Sequence, residues 1–221
     1  TPPQVATATD PGTSGLVLLY SMEGNVQDSS GKGNHGTTSG DPGYLEGPPG
    51  MGKALQFDGL NDHVEVPVGS LLGTLTSTTF AAWVNDSSIG GAWQRVFDFG
   101  TGETNYMFLT PSTGLTPRFA IQTATVGEQQ VTSSLALGTG WHHLAIVIDS
   151  ASMTLRLYQD GLLVDSGATT LLPKDLGVTT QNWLGRSQYA VDPFFNGVLD
   201  DFRIYDRALS ESEVRYLAGD R

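Results

Sequence analysis

From Leu16 onward the chain is written in short apolar or alternating runs, each stopped by a turn signal. Leu16–Met22 ends at Glu23-Gly24, and Ala54–Phe57 runs into Asp58-Gly59. His63–Val68, Thr79–Val84, Arg95–Phe99, Asn105–Thr110 and Arg118–Thr123 follow. Then come Trp141–Asp149, Met153–Gln159, Leu162–Gly167, Asn182–Gly185 and Gly197–Tyr205. In Thr79–Val84 the period is two, with Phe80, Ala82 and Val84 on one face and Thr79, Ala81 and Trp83 on the other. That is the pattern of a strand. Asp58-Gly59 and Asp160-Gly161 tolerate the positive φ of tight hairpin turns. One helix is predicted, over 211–218, with Ser210 as N-cap and Glu213 completing a capping box. Many strands without βαβ alternation predict an all-β fold: a two-sheet antiparallel β-sandwich of jelly-roll type, closed by that short C-terminal helix.

Composition narrows the class. The 221 residues carry 11 Lys+Arg against 23 Asp+Glu, a net charge of −12, with 28 Gly and no Cys. The length suits one sandwich domain with its own core. Without cysteine there is no disulfide framework, thiolate zinc site or cysteine nucleophile. The acidic balance argues against nucleic acid and anionic membrane as partners, and no apolar run reaches the ~18 residues of a membrane span. Charged residues are 15% of the chain, below the roughly 25% of ordinary soluble domains, which suits a secreted β-rich protein. Residues 1–14, rich in Pro, Thr and Ala, lack the basic and apolar regions of a signal peptide and read as a linker, the alternative being a disordered native N-terminal segment. With the missing initial Met they point to excision from a longer protein, leaving 15–221 as the domain.

The succession of motifs resembles a known family. Tyr20-…-Met22-Glu23-Gly24 and Asp28-Ser29-Ser30-Gly31-Lys32-Gly33-Asn34-His35-Gly36 open the match, followed by Ala54-Leu55-Gln56-Phe57-Asp58-Gly59, Asp62-His63-Val64 and Gly140-Trp141-His142-His143. The most specific stretch is Asn196-Gly197-Val198-Leu199-Asp200-Asp201-Phe202-Arg203-Ile204-Tyr205 and onward to Ser210. Together they are similar to bacterial laminin G-like domains with a concanavalin A-like jelly roll, over about residues 15–218. A narrower likeness, carried by Arg95–Gly100, Asn105–Leu109 and Leu184-Gly185-Arg186-Ser187, is to modules appended to secreted actinobacterial glycoside hydrolases, arabinofuranosidases among them. The resemblance implies a non-catalytic, often carbohydrate-binding sandwich, commonly with one structural calcium, on a secreted or cell-surface bacterial protein. Its implied partners are a glycan, arabinose-containing or another plant or host polysaccharide, and an adjacent catalytic domain in the parent chain. Family members also serve as adhesion or spacer domains. A structural role without a glycan ligand therefore stands as the alternative, and a catalytic jelly roll, hydrolase or lyase, as the third reading.

No catalytic residue is assigned from the residues themselves. Glycoside hydrolysis needs two carboxylates roughly 5–9 Å apart, which a strand supplies at i and i+2. Glu65 stands alone among His63, Val64 and Val66, while Asp200 and Asp201 are adjacent and face opposite ways; Glu211 and Glu213 lie on the terminal helix, where capping accounts for Glu213. The four histidines fit no nucleophile elbow or zinc helix. His35 is expected to close a turn, and one of His142 and His143 to be packed.

Sugar binding asks for exposed aromatic faces beside fixed polar groups. Trp83 and Trp141 are expected in the core, Trp93 exposed in a loop after Gly90-Gly91-Ala92, and Trp183 in either setting. The richest surface is the segment 186–196, which puts Arg186, Gln188, Tyr189, Asp192 and Phe194 on one loop, with Tyr106 and Arg118 as further contributors. The alternative is that this loop packs its own aromatics onto the sandwich.

Calcium is the better metal, because it takes roughly six to eight hard oxygens from carboxylates and carbonyls in Gly- and Asn-rich loops. Glu23 enters such a loop, and two aspartates interrupt the apolar last strand, which in a jelly roll is commonly a neighbour of the first. The expected ligands are Glu23 and Asp201, joined by Asp200, Asn25 and the Gly36 carbonyl; the alternative is that Asp200 or Asp201 pairs with Arg203 or Arg186. Asn85-Asp86-Ser87 matches a glycosylation sequon, expected to be a chance match in a bacterial protein.

Overall fold

The computed structural model describes residues 7–86 and 91–220, so Ser87 of the sequon and the first six residues lie outside the described part. Two antiparallel sheets face each other, as the alternating runs predict. One sheet has the order β13 (Leu162–Ala168), β12 (Thr154–Gln159), β11 (His142–Asp149), β6 (Thr78–Asp86), β15 (Asn196–Tyr205), β4 (Lys53–Asp58) and β3 (Gly43–Glu46), with β1 (Leu16–Tyr20) also paired to β15. The other runs β10 (Gln129–Thr132), β9 (Arg118–Gln122), β8 (Tyr106–Thr110), β7 (Phe97–Gly100), β14 (Gln181–Leu184), β5 (His63–Glu65) and β2 (Thr37–Ser39). A single helical turn, α1, spans Gly69–Leu72, and α2 spans Glu211–Leu217.

Period two puts alternate side chains between the sheets. From β6 come Phe80, Ala82 and Val84, from β11 Leu144, Ile146 and Ile148, and from β15 Leu199, Phe202 and Ile204, all essentially inaccessible. Phe97 and Phe99 of β7 meet them: the Phe80–Phe97 centroids are 4.9 Å apart and Phe97–Phe202 6.0 Å. Each such buried ring contributes about 1.5–3 kcal/mol. The Asp160-Gly161 dipeptide turns β12 into β13 with φ of +51° and +78°, as a two-residue hairpin requires.

The capping box of α2 forms as the sequence predicts: the Glu213 amide donates to Ser210 Oγ, and the Ser210 amide to Glu213 Oε2 at 2.8 Å. This helix lays Val214 and Leu217 on Leu16, Ala81, Val147, Tyr158 and Tyr205, the outward residues of the eight-stranded sheet. The segment before β1 is tied to the same place. Thr9 N–H donates to the Ser212 carbonyl at 3.0 Å, and Arg207 donates to the carbonyls of Ser14 and Pro11 at 2.9 and 3.2 Å.

Two sequence expectations need correction. Trp83 lies on the outer face of the eight-stranded sheet with its ring 5.4 Å from His143, because Ala82 and Val84, not Trp83, share the core face of β6. Trp141 precedes β11 and is half-buried. His35 does close its loop, accepting the Asp28 amide at Nδ1 (3.1 Å), and His143 is the packed member of its pair at 2% exposure. Burial holds His143 neutral, with its pKa lowered to about 3.

Candidate functional site

α2 covers one patch of the outer face of the eight-stranded sheet, whereas aromatic side chains singled out from the sequence gather on the outer face of the seven-stranded sheet. Met107 and Leu109 of β8 point inward, so Tyr106 and Phe108 point outward and, with Ala120 of β9, make a small apolar cluster outside the sandwich. The loop after β14 folds across this cluster. It is pinned by Phe195 N–H to the Gly185 carbonyl (2.9 Å) and by the Asn196 amide to Gln94 Oε1 (2.7 Å), while Phe195 sits edge-on to Phe57.

Beneath the loop lies a buried polar knot. Arg95, 1% exposed, donates from Nε to Asp98 Oδ2 at 3.1 Å and from a terminal nitrogen to Asp192 Oδ2 at 2.7 Å. Its guanidinium lies 4.1 Å from the Phe108 ring centroid, a cation–π contact strengthened by desolvation. Ser187 Oγ donates to Asp192, and the Gln188 amide to Asp98 at 3.1 Å. Burial pushes the Asp98 carboxyl up to about 7 against the pull of Arg95, and Asp98 Oδ1 has no hydrogen-bond partner among the described residues. The knot fixes the loop to β7.

Above it, a depression of about 240 Å³ is lined by Trp93, Arg95, Tyr106, Phe108, Glu128, Tyr189 and Asp192. Trp93, 36% exposed, stands at its edge with φ +67°, held by its amide to the Ser112 carbonyl at 2.8 Å. Tyr106 donates its hydroxyl proton to Glu128 Oε2 at 2.7 Å, and Tyr189 donates to the Glu103 carbonyl at 3.1 Å. Burial, with the Tyr189 hydroxyl and the Glu128 carboxylate close by, raises the Tyr106 hydroxyl far above its ordinary value, so it stays protonated. An exposed indole beside fixed hydroxyl and carboxylate groups is the arrangement that receives a ring with an apolar face and polar edge.

The structure brings Trp93, Tyr106, Tyr189 and Asp192 to this depression, and places Arg118 beside it with its guanidinium 5.6 Å from the Trp93 ring. Arg186 and Phe194 line a neighbouring depression of about 190 Å³ together with Trp183, Gln181 and Ser187. Gln188 is used by the main chain at both ends of its amide, accepting from Gly102 N–H and donating to the Gln181 carbonyl, each at 2.9 Å; it holds the loop. Arg95, Asp98, Phe108 and Glu128 were not anticipated. The visible signal was β8 itself, Tyr106-Met107-Phe108-Leu109, apolar on both faces although only one can face the sandwich core.

The residues expected to hold calcium are only partly assembled. Glu23 and Asp200 approach each other around the 47–52 turn: Lys53 N–H donates to both Glu23 oxygens at 3.1 Å, and a Cβ on Gly47 would lie 2.9 Å from Asp200 Oδ2 and 3.1 Å from the Gly52 carbonyl. Asp200 is 1% exposed, its Oδ1 accepts from the Asp201 amide, and its Oδ2 has no partner among the described residues. Burial, then the charges of Asp201 and Glu23, push its carboxyl up to about 7. Asp201, by contrast, is gripped by Arg203 through two bonds of 2.9 and 3.0 Å. Asn25 accepts from Gln27 N–H within its own turn, and Gly36 lies against Tyr20 and Val64. The loop from 23 to 36 is organised instead by Asp28, whose carboxylate accepts the amides of Leu19, Ser30 and Asn34 at 2.8–3.0 Å. Among the described residues no three acidic or histidine side chains converge as a metal cluster. The donors that fit a cation are the two carboxylates of Glu23 and Asp200 with backbone carbonyls of the adjoining turn.

The sequence pattern of a laminin G-type family, described as the concanavalin A-like lectin/glucanases superfamily, matches residues 57–215. The chain belongs to that superfamily. Among curated relatives, an alpha-L-arabinofuranosidase of Bifidobacterium longum subsp. longum is 32% identical over 65 residues, 29% of this chain and 6% of the relative. A Rattus norvegicus protein with sushi, von Willebrand factor type A, EGF and pentraxin domains is 26% identical over 180 residues, 78% of this chain and 5% of its own. The chain thus spans only a small part of the length of these relatives. Among solved structures, domain 4 of AbnA, a GH43 extracellular arabinanase from Geobacillus stearothermophilus in complex with arabinotriose, superposes with a TM-score of 0.78 at 23% identity, covering 92% of this chain and 98% of that one. The CBM40 of a Ruminococcus gnavus IT-sialidase, bound to alpha2,3 sialyllactose, superposes at 0.62 and 15% identity, covering 75% and 96%.

Proposed function

We propose that this concanavalin A-like domain binds a glycan on the outer face of its seven-stranded sheet and serves, without catalysing a reaction, as an accessory module of a secreted bacterial glycoside hydrolase. The observation that carries the reading is the depression in which exposed Trp93 stands beside Tyr106, Glu128 and Asp192. An indole face takes the C–H patch of a sugar ring, and the hydroxyl and carboxylate groups take its hydroxyls. Both carboxylates of the depression already have partners, Glu128 in Tyr106 and Asp192 in Arg95 and Ser187. That favours holding a sugar over cleaving one. The arabinofuranosidase relative and the arabinotriose complex of the AbnA domain favour an arabinose-containing glycan and a catalytic neighbour in the parent chain.

A divalent cation, calcium by the oxygen character of the donors, fits as a brace between Glu23 and Asp200, where it would neutralise two facing carboxylates and give Asp200 Oδ2 the partner it lacks. It would tie the end of β1 to β15 and has no part in sugar contact.

Calorimetric titration with arabinotriose and a panel of neutral plant oligosaccharides tests the reading. Trp93→Ala is expected to weaken binding roughly 30-fold, about 2 kcal/mol, as for a central aromatic contact. No heat with any saccharide would leave the alternative, a spacer whose loop packs Tyr189 on Tyr106 for stability alone.

A further inference from the structure

Seven arginines fall within the described residues, and five of them, Arg95, Arg156, Arg203, Arg207 and Arg215, form ion pairs with carboxylates. Arg118 and Arg186 do not. In a chain with 23 Asp+Glu against 11 Lys+Arg, an arginine left without an acid is unexpected. Both unpaired arginines lie on the outer face of the seven-stranded sheet, and each lies over an indole.

They are held differently. Arg118 donates from Nε to Thr132 Oγ1 at 3.0 Å, and the depression beside it contains Glu128. Arg186 is stacked with its guanidinium 4.2 Å from the Trp183 ring and 5.9 Å from that of Phe194. One terminal nitrogen lies 3.4 Å from His63 Nε2, while His63 Nδ1 is 3.0 Å from the Asn61 carbonyl. With Nδ1–H donating to the Asn61 carbonyl, Nε2 accepts from Arg186, so His63 props the guanidinium. His63 is in turn packed edge-on to Trp183. The remaining N–H groups of Arg186 have no partner among the described residues, and Arg186 borders the depression of about 190 Å³. The one carboxylate lining that depression, Asp192, is committed to Arg95 and Ser187. Glu65, on β5 directly opposite Trp183 of β14, lines a different depression, with Thr37 and Ser70, and makes no ion pair with Arg186.

We infer that Arg186, stacked on Trp183 and propped by His63, is a carboxylate-binding subsite, so that the glycan recognised on this face carries a uronic acid. The inference rests on the carbohydrate-binding reading above and names the ligand class within it. A planar guanidinium with its rotamer fixed on two sides and a free edge has little ordering entropy left to lose, and it matches a carboxylate bidentately. A neutral sugar would leave that edge unused. The two depressions share Tyr189 and Asp192, so one oligosaccharide running across the strands would place a neutral residue over Trp93 and an acidic one at Arg186.

The test is calorimetric titration of the wild-type chain with two acidic probes, a galacturonic acid trisaccharide and a glucuronic acid-bearing xylo-oligosaccharide. Each is paired with its carboxyl-reduced counterpart, and arabinotriose is run alongside. At least one acidic probe is expected to bind about tenfold or more tighter than its reduced form, as a charge-assisted pair supplies, with the preference shrinking in salt. Arg186→Gln, its fold checked by its melt, is expected to abolish the preference, so that acidic and reduced forms bind alike. Equal binding of acidic and reduced forms by the wild-type chain would overturn the uronate subsite and leave glycan binding standing. Absence of binding by every saccharide, arabinotriose included, would overturn both. Because the acidic-versus-reduced comparison is made on the wild type, it decides the matter even if the variant fails to fold.

Discussion

Replacing Asp200 by Asn tests the proposed cation brace between the first and last strands. In the folded chain the Asp200 carboxyl is pushed up to about 7 by burial and by the charges of Asp201 and Glu23, against about 3.9 for an unfolded aspartate. A carboxyl with a raised folded pKa favours the folded state at low pH, and that benefit is lost as pH rises from the unfolded to the folded value. By pH 8, without a cation, ionised Asp200 costs at most about 4 kcal/mol, at 1.36 kcal/mol per pKa unit. Exposed Glu23 admits water near the pair, so we take about half, ~2 kcal/mol. For a domain of this size that is roughly 4–8 °C in melting temperature. In chelator at pH 8, Asp200→Asn is therefore expected to melt higher than the wild type by this amount. The gap should close as pH falls toward 4. Millimolar calcium should reverse the order, because it stabilises the wild type by mass action, about 2.7 kcal/mol at a hundredfold excess over Kd, and finds one carboxylate fewer in the variant. Differential scanning calorimetry in chelator and in calcium, from pH 4 to 8, reads all three. A variant less stable than the wild type in chelator at pH 8, or calcium stabilising both equally, would refute the reasoning.

Two other outcomes follow from the packing. Arg95→Met leaves Asp98 buried without its cation, which costs about 3–5 kcal/mol and is expected to lower the melt by roughly 6–20 °C at pH 8. The loss should shrink at pH 5, where Asp98, already raised to about 7, takes up a proton; a melt unchanged at pH 8 would show that the knot does not hold the loop. Arg207→Ala removes the donors to the Ser14 and Pro11 carbonyls and the pair with Glu213. Hydrogen exchange at Thr9 and its neighbours is expected to speed up several-fold while β11 and β6 stay protected, and unchanged exchange there would mean the segment is held by other contacts.

Thr78–Asp86 was legible because Phe80, Ala82 and Val84 recur with period two toward the other sheet, and His142–Asp149 because its run from Leu144 to Ile148 is apolar on both faces, the inner one meeting the other sheet and the outer one α2. Thr37–Ser39, Gly43–Glu46 and Gln129–Thr132 were not, since they lie at sheet ends, bury little, and leave no apolar repeat to read. The segment 186–196 stood out by composition, yet its roles did not: Gln188 serves the backbone, and Arg95 enters from 97 positions away in sequence to bind Asp192. Such a pairing is a property of loop closure, invisible to local pattern. Adjacent Asp200 and Asp201 promised a joint site, but the positive φ of Asp201 (+51°) at a bulge in β15 turns it to Arg203 and leaves Asp200 with Glu23.

The central claim, that sugar is held on the outer face of the seven-stranded sheet, is tested most directly by mapping amide and indole NMR shifts on adding saturating oligosaccharide. The account predicts the largest changes at the Trp93 indole N–H and at the amides of β8, β9 and the loop 186–196, with Trp93→Ala removing them. Changes confined to the loops around Glu23 and Gly52, or to the α2 side of the sandwich, would contradict it.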